Sequence, residues 1–144
     1  MIRDQKSTFI DGLSLIGLTG AVVSQNILDT GAPNTIGRGS PEPVYLALAL
    51  EDAVVPGTAT IAVAFESSED VAFTAPVSVQ LQAATAASGL VDGVQFKLPF
   101  TTHRYTRVVL TLTGTITAGS VSAFLTKDPS YQHAYPTAIG SVKV

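Results

Sequence analysis

The sequence predicts an all-β fold, a jelly-roll-like antiparallel β-sandwich of about eight strands with extended N- and C-terminal segments. Three observations carry this. Apolar and polar side chains alternate with a period of two in a series of short segments. Most of the 12 glycines and 8 prolines fall between those segments, where turns are needed. No stretch keeps a helical apolar period for three turns. The 144 residues suit one domain over residues 1–144. A chain of that length buries roughly 68–70% of its unfolded surface, enough for a core without staples.

The elements follow in order. Residues 1–8 are polar and read as an N-terminal arm. Phe9 to Leu18 (FIDGLSLIGL) reads as a short strand, because a helix there would carry two glycines at about 1 kcal/mol each. A second strand is expected from about Val22 to Asp29. Residues 31–43 (GAPNTIGRGSPEP) form a loop that neither a helix nor a central strand could cross. Its Gly37-Arg38-Gly39 piece lacks a following helix whose N-terminus could hold a phosphate. Val44 to Leu50 (VYLALAL) is apolar on both faces and predicts a strand covered on both sides. Glu51 to Gly57 reads as a turn around Pro56-Gly57.

Thr58 to Glu66 predicts the next strand, with Ile61, Val63 and Phe65 inward. Ser67 to Asp70 is an acidic turn without the regular acidic ladder of a calcium loop. Val77 to Gln82 is a short strand, and Ala83 to Ala87 is ambiguous between a helical turn and irregular chain. Asp92-Gly93 is a hairpin-turn signal before the alternation of Gly93 to Phe100. Tyr105 to Thr113 puts Val108, Leu110 and Leu112 on one face. Ser120 to Thr126 follows a turn at Ala118-Gly119 and reads as the antiparallel hairpin partner of Tyr105 to Thr113. Residues 128–144 form a C-terminal tail interrupted by Pro129 and Pro136.

Composition narrows the function classes. A net charge of −3 argues against nucleic-acid binding, which needs a basic footprint. The apolar runs are too short and too interrupted to span a membrane. Met1 to Ser7 leads into no signal-like apolar segment, so a product made in a cytoplasm is expected. There is no cysteine, and His103 and His133 are a poor metal set. No serine stands in a nucleophile elbow, and the acids Asp52, Glu69, Asp70, Asp92 and Asp128 sit in turn segments. No catalytic, cofactor-binding or metal-ligating residue is therefore assigned, and no enzyme is expected.

Only 13% of residues are charged, against about 25% in typical domains, so apolar surface is expected to remain for an interface. Tyr131, His133 and Tyr135 form an i, i+2, i+4 row that projects to one side if extended. The alternative is that this row folds back on its own sandwich. Phe9 and Ile10 beside the N-terminal arm are the second interface candidate. A receptor- or carbohydrate-binding sandwich is the alternative function, though no tryptophan supplies an aromatic platform.

Two blocks carry a family resemblance. One is Ser24-Gln-Asn-Ile-Leu-Asp29 with Gly31-Ala32, Ile36-Gly37, Gly39 and Tyr45-Leu46. The other is Thr117-Ala-Gly119, then Ala123-Phe-Leu-Thr-Lys-Asp128 and Tyr135-Pro136. Together they resemble the capsid cement (decoration) proteins of the Bordetella phage BPP type and their relatives in short-tailed phages. The resemblance runs thinly from about Asp4 to Pro136. It implies a jelly-roll protein on the outer surface of an icosahedral head, clamping neighbouring major capsid subunits and associating with itself as a homodimer or homotrimer. It implies no catalysis and a location in the virion. The chain departs from the pattern at Leu15 to Leu18 and at His133.

Overall fold

The computed structural model describes residues 5–33, 44–55, 58–87, 94–98 and 102–127. Among these residues nine strands form two antiparallel sheets. They are β1 (Thr8–Ser14), β2 (Gly20–Val23), β3 (Leu28–Asp29), β4 (Tyr45–Val55), β5 (Thr60–Ser68), β6 (Val77–Ala86), β7 (Val94–Lys97), β8 (Tyr105–Thr113) and β9 (Ala118–Thr126). A short 3-10 turn, Gln5–Ser7, precedes β1.

One sheet has the order β1-β9-β4-β7. The other has the order β2-β8-β5-β6, with β3 also paired to β8. The pairs β1 with β9, β2 and β3 with β8, β4 with β7, and β5 with β6 are nested in sequence. Such nesting is one long antiparallel ribbon rolled up until β9 meets β4 and β8 meets β5. That is the jelly-roll arrangement, two sheets that share one core.

The core lies where inward faces meet. Leu46 and Leu48 on β4 and Val121 and Ala123 on β9 face Ile61, Val63 and Phe65 on β5 and Val108, Leu110 and Leu112 on β8. Phe9 crosses the layer to meet Phe65 edge to face, with ring centroids 6.1 Å apart. Such a pair adds about 0.5–1.5 kcal/mol beyond area burial. Ala47, on the opposite side of β4 from the Leu46 and Leu48 row, is buried too, in keeping with a strand covered on both faces.

Several sequence expectations need correction. Tyr105 to Thr113 and Ser120 to Thr126 are not a hairpin, because β8 and β9 belong to different sheets. Their apolar faces oppose each other across the core. The connection turns a corner at Gly114, whose φ of +87° suits glycine and where an added Cβ would come within 3.0 Å of the Ala59 backbone. Ile116 then plugs into the core. Asp92-Gly93, itself outside the described residues, likewise joins strands of different sheets, β6 and β7. The expected strand from Val22 to Asp29 is two strands, interrupted at Ser24 to Ile27.

Glu51 to Val55 continue β4 instead of turning, because their backbone pairs with β9 as far as Val55 opposite Ala118. Ala118 and Gly119 are strand, not turn. The Ala-rich piece from Ala83 continues β6 through Ala86. Gly37-Arg38-Gly39, Pro56-Gly57 and the tail 128–144 lie outside the described residues.

Candidate functional site

The two flanks of the sandwich are built differently, and the contrast locates the candidate surface. On the first flank lie the outer edges of β1 and of β2 and β3. Here the interruption at Ser24 to Ile27 sews one sheet to the other. Ser24 N–H donates to the Val108 carbonyl at 2.8 Å, and Val108 N–H donates to Ser24 Oγ at 3.2 Å. Asn26 N–H then donates to the Phe9 carbonyl at 3.0 Å, and Asn26 Nδ2 to the Thr8 carbonyl at 3.0 Å. Asp11 N–H donates to Gln25 Oε1 at 3.0 Å. Edge groups of β1 that would otherwise invite another chain are thereby satisfied.

The same flank carries an ion pair. Arg104 grips Asp29 with two parallel bonds, Nε to Oδ1 at 2.8 Å and Nη2 to Oδ2 at 2.9 Å. Thr30 N–H and Oγ1 donate to the Arg104 carbonyl, and the guanidinium lies 4.9 Å from the Tyr105 ring centroid. The Arg104 side chain first, and then the Gly31 N–H, hold the Asp29 carboxyl at about 2. Both side chains are nearly half exposed, so this grip orders the β3–β8 corner more than it stabilises the fold. A shallow cleft of about 430 Å³ opens beside it, lined by Lys6, Asn26, Ile27, Leu28 and Asp29.

The second flank ends in β6 and β7. β7 is four residues long and carries Lys97. β6 is ten residues long, VSVQLQAATA, with no charge and no proline, and most of its positions are exposed. Side-chain contacts hold the β5–β6 connection beside it. Arg107 and Glu66 pair across β8 and β5 with Nε and Nη2 each 2.7 Å from Oε2. The guanidinium sits 4.1 Å from the centroid of the buried Phe73 ring, which the connection folds over it. Asp70 receives hydrogen bonds from the Thr74 N–H and from the Thr74 and Ser68 hydroxyls. Partial burial pushes its carboxyl up, but these bonds outweigh that and leave it below the ordinary value. Val71 and Val77 remain exposed at 60% and 52%.

The expected site residues fare unequally. Phe9 and Ile10 are wholly buried core residues, so they offer no surface. Both are inward because a bulge between Thr8 and Ile10 sets Phe9 and Ile10 together opposite Ala123; a second irregularity, at Gly12 with φ of +58°, follows them. Tyr131, His133 and Tyr135 lie outside the described residues. His103 Nδ1 is 3.6 Å from Glu69 Oε1, too long for a hydrogen bond. Among the described residues no group of three His, Cys, Asp or Glu could hold a metal, and no helix is long and apolar enough to cross a membrane. Sequence reasoning missed both the Asn26 seam and the bare β6 edge. The absence of charge and proline from Val77 to Ala86 could have revealed the latter.

A family model described as Bbp16 matches residues 16–125, more than half of the chain, from the β1–β2 connection almost to the end of β9. No curated protein matches the chain.

Proposed function

This chain belongs to the Bbp16 family, and from that premise we propose that it is a structural protein of a bacteriophage virion, a cement that binds the outer surface of the icosahedral head. Each copy clamps neighbouring major capsid subunits and associates with further copies of itself. The family name fits a Bordetella phage protein, in agreement with the residue blocks at Ser24 to Asp29 and Ala123 to Asp128. The observation that carries the reading is the jelly roll with one sewn flank and one flank whose long edge strand, β6, carries no charge. Its described ionic pairs, Asp29 with Arg104 and Glu66 with Arg107, are engaged with each other and serve the fold.

Mechanistically, such a protein works by burial. Stable interfaces cover about 1,200–2,000 Å² in total. Repeated over a shell, a modest energy per copy resists the outward pressure of packaged DNA. The test is to prepare heads with and without the protein and challenge both with heat and low salt. Heads lacking it should rupture at lower temperature. Equal survival would remove the cement reading.

A further inference from the structure

The bare edge of β6 has a shape that specifies its occupant. Long, exposed strand edges template pairing with another chain, and natural edges are blunted by charge, proline, shortness or covering. Edge groups of β1 are satisfied by Gln25 and Asn26, β2 and β7 have four residues each, and β7 carries Lys97. Among the described edge strands, β6 alone combines length with neutrality. It does bend: Ile61 to Val63 of β5 stand opposite Gln82 to Thr85, and Val63 to Ala64 opposite Gln80 to Gln82. Each step leaves an extra residue on β6, and the buried Gln82 Oε1 has no hydrogen-bond partner there. The regular portion of the edge is Val77 to Gln80, paired without slip to Ser67 through Ala64.

We propose that this portion pairs, antiparallel and across a twofold axis, with the same edge of a second copy of the chain. An antiparallel strand is its own complement under twofold symmetry, so one surface serves both partners. The twofold axis then passes through Ser78, which faces Ser78 of the other copy, and Val77 of one copy faces Val79 of the other. Charge selects the same occupant and direction. The chain carries a net −3, and two copies repel least along a strand without charge. The acidic turn Glu69-Asp70 lies just beyond the Val77 end. Antiparallel pairing sends the two acidic turns to opposite ends of the contact, whereas parallel pairing would set them side by side. The exposed Val77 is covered on pairing, and the Arg107–Phe73 stack holds the adjoining connection in place beforehand.

This deepens the self-association within the proposed function and is tested apart from head binding. Sedimentation equilibrium of the full chain should show a dimer. V77K/Q80K, which brings four lysines together at the contact, should weaken association at least tenfold with an unchanged β spectrum. An equimolar mixture with V77E/Q80E should restore the dimer. Because the chain has no cysteine, a second measurement needs no lysine variant. V77C mixed with V79C should form a disulfide-linked heterodimer under oxidation, while either alone should not. A monomeric wild type, or failure of the V77C and V79C mixture to cross-link, overturns the proposal. Wild-type dimers that ignore heads count for the edge and against the cement reading. V77K/Q80K monomers that still coat heads count for both.

Discussion

One flank of this sandwich is closed from within, and the other is left open. At Ser24 to Asn26 the chain spends a break in its own strand to hydrogen-bond across to β1. At Val77 to Ala86 it leaves a longer strand unprotected. Both regions are edges of the same two sheets, so the difference is not forced by the fold. A closed flank secures the roll, whereas an open one costs aggregation resistance unless a partner covers it. The Ser24 to Asp29 block, which carries the family resemblance, lies on the closed flank, and most of its polar contacts are architectural. The contact surface is drawn from residues with little sequence signature.

Substitutions on the closed flank should break the fold, and those on the open flank should leave it alone. The largest effect is expected for Phe9→Ala, which removes a fully buried ring from its contact with Phe65 and should cost about 3–5 kcal/mol in urea unfolding. Ser24→Ala deprives the buried Val108 N–H of its side-chain acceptor and should cost about 1–3 kcal/mol by the same measurement. Asn26→Ala removes the Nδ2 bond to Thr8 but keeps the backbone bond to Phe9, for a loss of about 1 kcal/mol. Ser78→Ala, on the exposed part of β6, should stay within about 0.5 kcal/mol. A Ser78 effect as large as that at Ser24 would erase the contrast.

The smallest effect is electrostatic. The folded pKa of Asp29, about 2, lies below its ordinary value of 3.8. Its contribution is therefore present above about pH 4 and fades as pH falls toward 2. Carboxyl resonances followed by NMR should place the Asp29 midpoint near that low value, and Arg104→Ala should return it toward the ordinary range. An unmoved midpoint would mean that Arg104 does not grip the carboxylate in solution.

Strand faces were legible in the sequence, and strand neighbours were not. Alternation identifies which side of Thr58 to Glu66 and Tyr105 to Thr113 is apolar, and those sides are the core. Alternation is silent on which edge pairs with which. β8 and β9, consecutive and both one-sided, look like a hairpin, yet they stack face to face across the core. Ile116, an apolar residue within the linker, was the available hint. Glu51 to Val55 read as part of a turn around Pro56-Gly57, but cross-strand pairing with β9 carries the strand through them. Phe9 and Ile10 are adjacent and both inward, which period-two logic forbids unless a bulge intervenes, as one does between Thr8 and Ile10. For the candidate surface, the clue was what β6 lacks, and missing charge is quieter than a motif.

The central claim is that one flank is finished within a single chain and the other is finished by a partner. Amide hydrogen exchange of the full chain, compared between dilute and concentrated samples, tests it most directly. The Asn26 amide and those of β1 should be protected equally at both concentrations. Outward amides of Val77 to Gln80 should exchange fast when dilute and slow when concentrated. Protection at Val77 to Gln80 that does not change with concentration, or an Asn26 amide as fast as a free loop, would contradict the account.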